Sequence, residues 1–85
     1  MELELSSLSE LKAGQVLIKV LPNTTRNEVV KALKNPDDLY SVESVNDEAI
    51  VLKVAKFDNR KSTIQYELIS IKPRDFFFNC CWYIR

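Results

Sequence analysis

Two carboxylate pairs and one thiol pair are the arrangements in this 85-residue chain whose types and spacing could do chemistry. Asp37-Asp38 and Asp47-Glu48 could divide acid and base roles, as paired carboxylates do when their environments push their pKa values apart. Each pair falls in a loop or turn, where acidic side chains bond nearby backbone and start strands. That placement accounts for them without catalysis. Cys80 and Cys81 are adjacent. Neighbours on a strand point to opposite faces, so these two cannot close on one metal, and a disulfide between them would be strained. Zinc sites need more ligands at wider spacing. Cys81 could react as a thiolate, but no basic residue flanks it closely, so a lowered pKa has no visible source. The chain has no histidine. That removes the commonest general base, the commonest metal ligand and every Ser-His or Cys-His nucleophile. A single glycine, Gly14, leaves no phosphate-cradling loop. The chain reads as a non-enzyme with no metal or cofactor.

Binding is the chemistry that remains. Lys and Arg total 12 and Asp and Glu total 12, so the net charge is zero. The distribution is uneven: residues 1–48 hold 5 basic and 9 acidic side chains, and residues 49–85 hold 7 basic and 3 acidic. Pairs from the two halves can neutralise one another across the fold, or leave one basic face for an acidic partner. Lys56, Arg60 and Lys61 cluster on one predicted strand and its loop, with Lys53 nearby, and Lys72 and Arg74 occupy the next loop. Phe57 and Tyr83 could stack on bases, as sheet aromatics do in single-strand binders. Against that, dedicated nucleic-acid domains carry a basic excess, and lysines at strand ends are ordinary edge protection.

These side chains need elements to hold them. Glu2–Leu5 alternates and could add an edge strand, and Ser7–Lys12 can form one helical turn. Gln15–Leu21 is a strand stopped by Pro22. Asn23–Lys34 is the helix. It carries a Thr25-x-x-Glu28 capping box, core-facing Val29, Ala32 and Leu33, and an end at Asn35-Pro36. A meander follows: strand Leu39–Val45, turn Asn46-Asp47, strand Glu48–Phe57, loop Asp58–Lys61, strand Ser62–Ile71, loop Lys72–Asp75 and strand Phe76–Ile84. Short loops imply antiparallel neighbours. Leu8-x-x-Leu-Lys-x-Gly-Gln15 before a strand resembles the opening of small SH3-like modules, over eight residues and with no functional residue carried over. Residues 76–85 are the most aromatic stretch of the chain. An apolar end of this kind must be pinned inside a sheet, because frayed it would aggregate. The fold expected is α+β: one short helix beside a curved antiparallel sheet of four to five strands, a partly open SH3-like barrel being one form of it, in one domain spanning 1–85.

Alternation assigns the faces. Val16, Ile18 and Val20, then Ile50, Leu52 and Val54, then Ile64, Tyr66 and Leu68, then Phe76, Phe78, Cys80, Trp82 and Ile84 are expected to form the core with the helix. The other face should be polar, yet Leu17, Leu21, Val51, Ile69, Ile71, Phe77, Cys81 and Tyr83 also point there. Barrel closure, the N-terminal segment with Leu3, Leu5, Leu8 and Leu11, a homodimer or another protein could cover it. An exposed patch of Phe77, Tyr83, Ile69 and Val51 has the composition of an interface hot spot.

Two unbridged thiols suggest a reducing compartment. The acidic start is no signal peptide, and no stretch approaches a membrane span. The chain reads as a complete, small, cytoplasmic protein that acts by occupying the surface of another macromolecule. Chains of this kind are common among small phage or mobile-element antagonists of host complexes and among subunits of larger assemblies. A nucleic-acid-binding small β-barrel is the alternative.

Overall fold

Two prolines bracket the helix. Pro22 follows strand β2 (Val16–Val20), and Pro36 follows helix α1 (Arg26–Lys34). The computed structural model describes residues 3–58 and 60–85. Met1, Glu2 and Asn59 lie outside the described residues, and with them part of the expected 2–5 alternation and of the 58–61 loop; Leu3 is described by its backbone alone. Thr25 caps α1, its hydroxyl accepting from the Glu28 N–H at 3.3 Å. The helix starts three residues later than the expected Asn23, because an N-cap is extended and not helical. Lys31 and Lys34 sit in its last turn, where cations suit the helix dipole.

The remaining strands are β1 (Leu3–Glu4), β3 (Asp38–Val45), β4 (Ile50–Asp58), β5 (Thr63–Ile71) and β6 (Cys81–Ile84). They form one sheet in the order β1-β6-β2-β3-β4-β5, with every pairing antiparallel. The α+β expectation holds. The sheet is open, with β1 at one edge and β5 at the other, so it does not close into a barrel.

One face of the sheet carries the main core. Leu17, Val42, Ile50, Leu52 and Trp82 are buried there, with Tyr40, Ile69, Ile71 and Ile84 packed against them. The N-terminal segment closes over this face through buried Leu5 and Leu11 and half-buried Leu8. Its short 3₁₀ turn, Leu8–Glu10, is held by the Glu10 carboxylate. That group accepts from the Ser6 hydroxyl at 2.6 Å and from the Ser6 and Ser7 N–H groups at 2.9 and 3.1 Å. The Ser6 bonds hold its pKa below the usual carboxylate range. On the opposite face, buried Ile18 lies beneath α1 and its buried Val29.

The segment expected as one strand from Phe76 to Ile84 is instead a turn followed by a strand. Pro73–Asp75 is 3₁₀, turns continue to Asn79, and only Cys81–Ile84 is extended. Asn79 supplies the positive φ, 53°, that redirects the chain. Helical spacing therefore replaces alternation. Phe76 and Cys80 turn inward, while Phe78, expected in the core, is 73% exposed. The Phe76 carbonyl accepts from Trp82 Nε1 at 2.7 Å and from Cys80 Sγ at 3.2 Å. The indole stacks on Phe76 at 4.6 Å and meets Tyr40 edge-on at 5.0 Å.

The β3–β4 connection is also longer than the expected two-residue turn. Val45 pairs with Ile50, and Asn46 Oδ1 accepts from the Glu48 and Ala49 N–H groups at 2.8 Å each. This is the side-chain turn that asparagine favours. A register shift between Val42 and Ser44 marks a bulge in β3.

Candidate functional site

The β4–β5 register decides what the molecule presents to solvent. Leu52 pairs with Ile69 and Ile50 with Ile71, so those isoleucines share the core face. Phe57 pairs with Ile64, Ala55 with Tyr66 and Lys53 with Leu68, all on the other face. The four large apolar side chains of this second set are exposed. Phe57 is 55% exposed, Ile64 53%, Tyr66 62% and Leu68 68%. Ile64, Tyr66 and Leu68 were expected in the core and are its clearest correction. Pairing fixes parity, and a shift of one residue moves a whole strand set to the other face.

On β4 and β5 the one charged side chain of this face is Lys53. Lys53 Nζ sits 4.7 Å from the centroid of the Tyr66 ring, a cation–π contact. Beside the hairpin, the C-terminal end of α1 overhangs the sheet and leaves a groove of about 520 Å³. Leu39, Phe57 and Ile64 form its apolar floor, and Lys34, Asp37 and Arg85 its rim. Arg85 Nε donates to the Leu33 carbonyl at 3.2 Å, which ties the chain end to the helix. Arg60 and Lys61 stand at the hairpin tip, at the same end as Phe57 and Ile64. The Arg60 N–H donates to Asp58 Oδ1 at 3.0 Å.

The residues expected to form one patch do not meet. Ile69 packs on the core because it opposes Leu52, and Phe77 packs there because the turn after Pro73 sets its ring edge-on to Phe76 at 5.1 Å. Val51 and Tyr83 share the open face, but β3 and β2 separate their strands. Phe57 and Tyr83 are separated in the same way. The basic residues are dispersed as well. Lys56 is on the core-side face, 3.5 Å from Glu67. Lys72 and Arg74 lie at the far end of β5 from Arg60 and Lys61, about 27 Å away by strand rise, and share a depression with Asp47 and Glu48. Sequence reasoning missed Ile64, Tyr66 and Leu68 as surface residues. The signal was present in the loop length, as discussed below.

The groups singled out for chemistry take structural places. Asp38 opens β3, and Asp47-Glu48 belongs to the Asn46 turn. Among the described residues, no three His, Cys, Asp or Glu side chains gather to hold a metal. Both cysteines are free. Burial pushes the Cys80 thiol up, and burial together with the Glu4 carboxylate pushes Cys81 up. Iodoacetamide at neutral pH should therefore label both slowly, half-buried Cys81 before buried Cys80, with the rate climbing only in alkaline solution. Rapid labelling of either thiol at pH 7, followed by intact-mass spectrometry, contradicts this. Among the described residues, no helix is long and apolar enough to cross a membrane.

No family model, curated protein or solved structure matches this chain.

Proposed function

We propose that this chain is a small, non-catalytic binding protein that acts by occupying the surface of another protein, as an antagonist does, through the open face of β4 and β5. One observation carries the reading. Four large apolar side chains, each more than half exposed, stand together on the paired strands β4 and β5. Water-exposed apolar area of this kind is unfavourable unless something covers it, and interface cores are built from such aromatic and aliphatic anchors. Lys53, Lys34 and Arg85 lie beside it against one carboxylate, Asp37, so the complementary surface is apolar with a modest excess of carboxylates. Arg60 and Lys61 at the tip add to the same steering field.

A second reading rests on Phe57, Tyr66 and Lys53. Exposed rings with a cation on an open sheet are what single-stranded nucleic acid stacks on. Ile64 and Leu68 offer bases little, and the zero net charge and dispersed cations work against a phosphate track. Protein is therefore the reading we favour.

The test is a pair of variants. Tyr66→Ser with Leu68→Ser changes two exposed side chains and should leave the melting curve close to wild type. It should weaken binding to a copurified protein partner by about thirtyfold or more, as loss of an interface anchor does. Phe78→Ser, exposed elsewhere on the molecule, is the control and should bind normally. Equal affinity of the double variant and the wild type refutes the assignment. Firm retention on a heparin column at moderate salt, lost in the same variant, supports nucleic acid instead.

A further inference from the structure

The two edges of the sheet are built differently. Among the described residues the β1 edge is Leu3–Glu4. The β5 edge is nine residues long, pairs with β4 without a register shift, and reads Thr-Ile-Gln-Tyr-Glu-Leu-Ile-Ser-Ile. It contains no proline, no lysine and no arginine, and Glu67 is its single charge. Those are the devices that normally blunt an edge strand. In an antiparallel ladder alternate residues bond to the neighbour, so the others turn their N–H and C=O groups outward. A row of alternating donors and acceptors is complementary to another strand.

We propose that the occupant of this edge is β5 of a second copy of the chain, paired antiparallel about a two-fold axis through Tyr66. From Ile64 to Leu68 the strand is symmetric in chemistry about that residue, and beyond it Thr63 opposes Ile69. The axis keeps each face on its own side, so Ile64 of one copy opposes Leu68 of the other and the two Tyr66 rings meet. On the reverse face Gln65 opposes Glu67. This register works whether Tyr66 or its neighbours carry the outward backbone groups, because a two-fold axis can pass through either kind of pair. An axis through Glu67 sets two carboxylates directly opposite, which is destabilising. Zero net charge leaves no general repulsion between copies. The resulting sheet places the two open faces side by side.

The pairing goes beyond partner binding and is tested on residues of the other face, so either idea can fail alone. Gln65 and Glu67 are exposed, and neither belongs to the apolar face. Sedimentation velocity over a concentration series should show a reversible dimer for the wild type. Gln65→Glu sets carboxylate against carboxylate twice per dimer and should weaken association about tenfold. Adding Glu67→Lys to it restores opposite charges and should recover the dimer. Circular dichroism melts of the dilute proteins check that all three fold alike. A wild type that sediments as a monomer up to its solubility limit overturns the proposal. So does an unaffected Gln65→Glu variant, or a double variant that fails to recover.

Discussion

Trp82→Ala should lower stability by about 3–5 kcal/mol, the cost of emptying a large aromatic site in a core. A domain of this length carries about 4–13 kcal/mol in total, so the variant should lie near the edge of folding. Three contacts fail together. Phe76 loses its stacked partner at 4.6 Å, Tyr40 loses its edge contact at 5.0 Å, and the Phe76 carbonyl loses its 2.7 Å donor. Trp82→Phe separates these effects. It keeps a ring against Phe76 and removes the donor, and should cost about 1–3 kcal/mol. Urea titration of the three proteins measures both differences. Because the ring is buried, native emission of the wild type should be blue-shifted and should move to the red on unfolding. A Trp82→Ala protein with an unchanged urea midpoint contradicts the packing described above.

Removing residues 79–85 should have a still larger effect. The short strand β6 lies between β1 and β2, so its loss divides the sheet. It also takes away buried Cys80 and Trp82. The Leu5 N–H loses the Trp82 carbonyl at 2.8 Å, and the Val16 carbonyl loses the Arg85 N–H at 2.9 Å. The N-terminal segment that covers the core face is then held at one end by nothing in the sheet. The truncated chain should be insoluble or should melt without cooperativity. A soluble product with a cooperative transition near the full-length midpoint would show that β6 is an appendage.

Element types were legible in the sequence because each rests on local signals. Pro22, Thr25, Glu28 and Asn35-Pro36 mark the helix, and polar loops separate the meander strands. Ile50, Leu52 and Val54 alternate as a half-buried strand should, and all three are buried. Faces were harder, because Thr63–Ile71 is apolar in both parities: Ile64, Tyr66 and Leu68 on one side, Ile69 and Ile71 on the other. Alternation alone cannot choose between them. Loop length can. A four-residue loop pairs even-numbered residues of one strand with odd-numbered residues of the next, so Ile50 and Leu52 had to face Ile69 and Ile71. The expected loop, Asp58–Lys61, already carried that parity, and so does the observed one between Asp58 and Thr63. Hydrophobicity without register therefore assigns Ile64, Tyr66 and Leu68 to the wrong face.

The C-terminal segment failed for a different reason. Phe76, Phe78, Cys80 and Trp82 fit a strand by spacing, and Pro73 falls inside the expected loop Lys72–Asp75. Proline also suits the first turn of a helix, where its missing N–H costs nothing. Pro73 starts a 3₁₀ turn here, and that choice places Phe76 beneath Trp82 and Phe78 in solvent. Coverage of the sheet was read better. Leu5, Leu8 and Leu11 were one of the ways proposed to close a second apolar face, and they close the face that bears Leu17, Ile69 and Ile71. What they leave uncovered is the other side of the β4–β5 hairpin.

The proposed contact surface is this uncovered hairpin face. A photo-crosslinking phenylalanine analogue placed at position 66, with the same analogue at position 78 as the comparison, tests it most directly. Each protein is irradiated in complex with its copurified partner and the products are resolved by mass. Efficient crosslinking is expected from position 66 and little from position 78. Crosslinking from position 78 alone, with none from position 66, would contradict it.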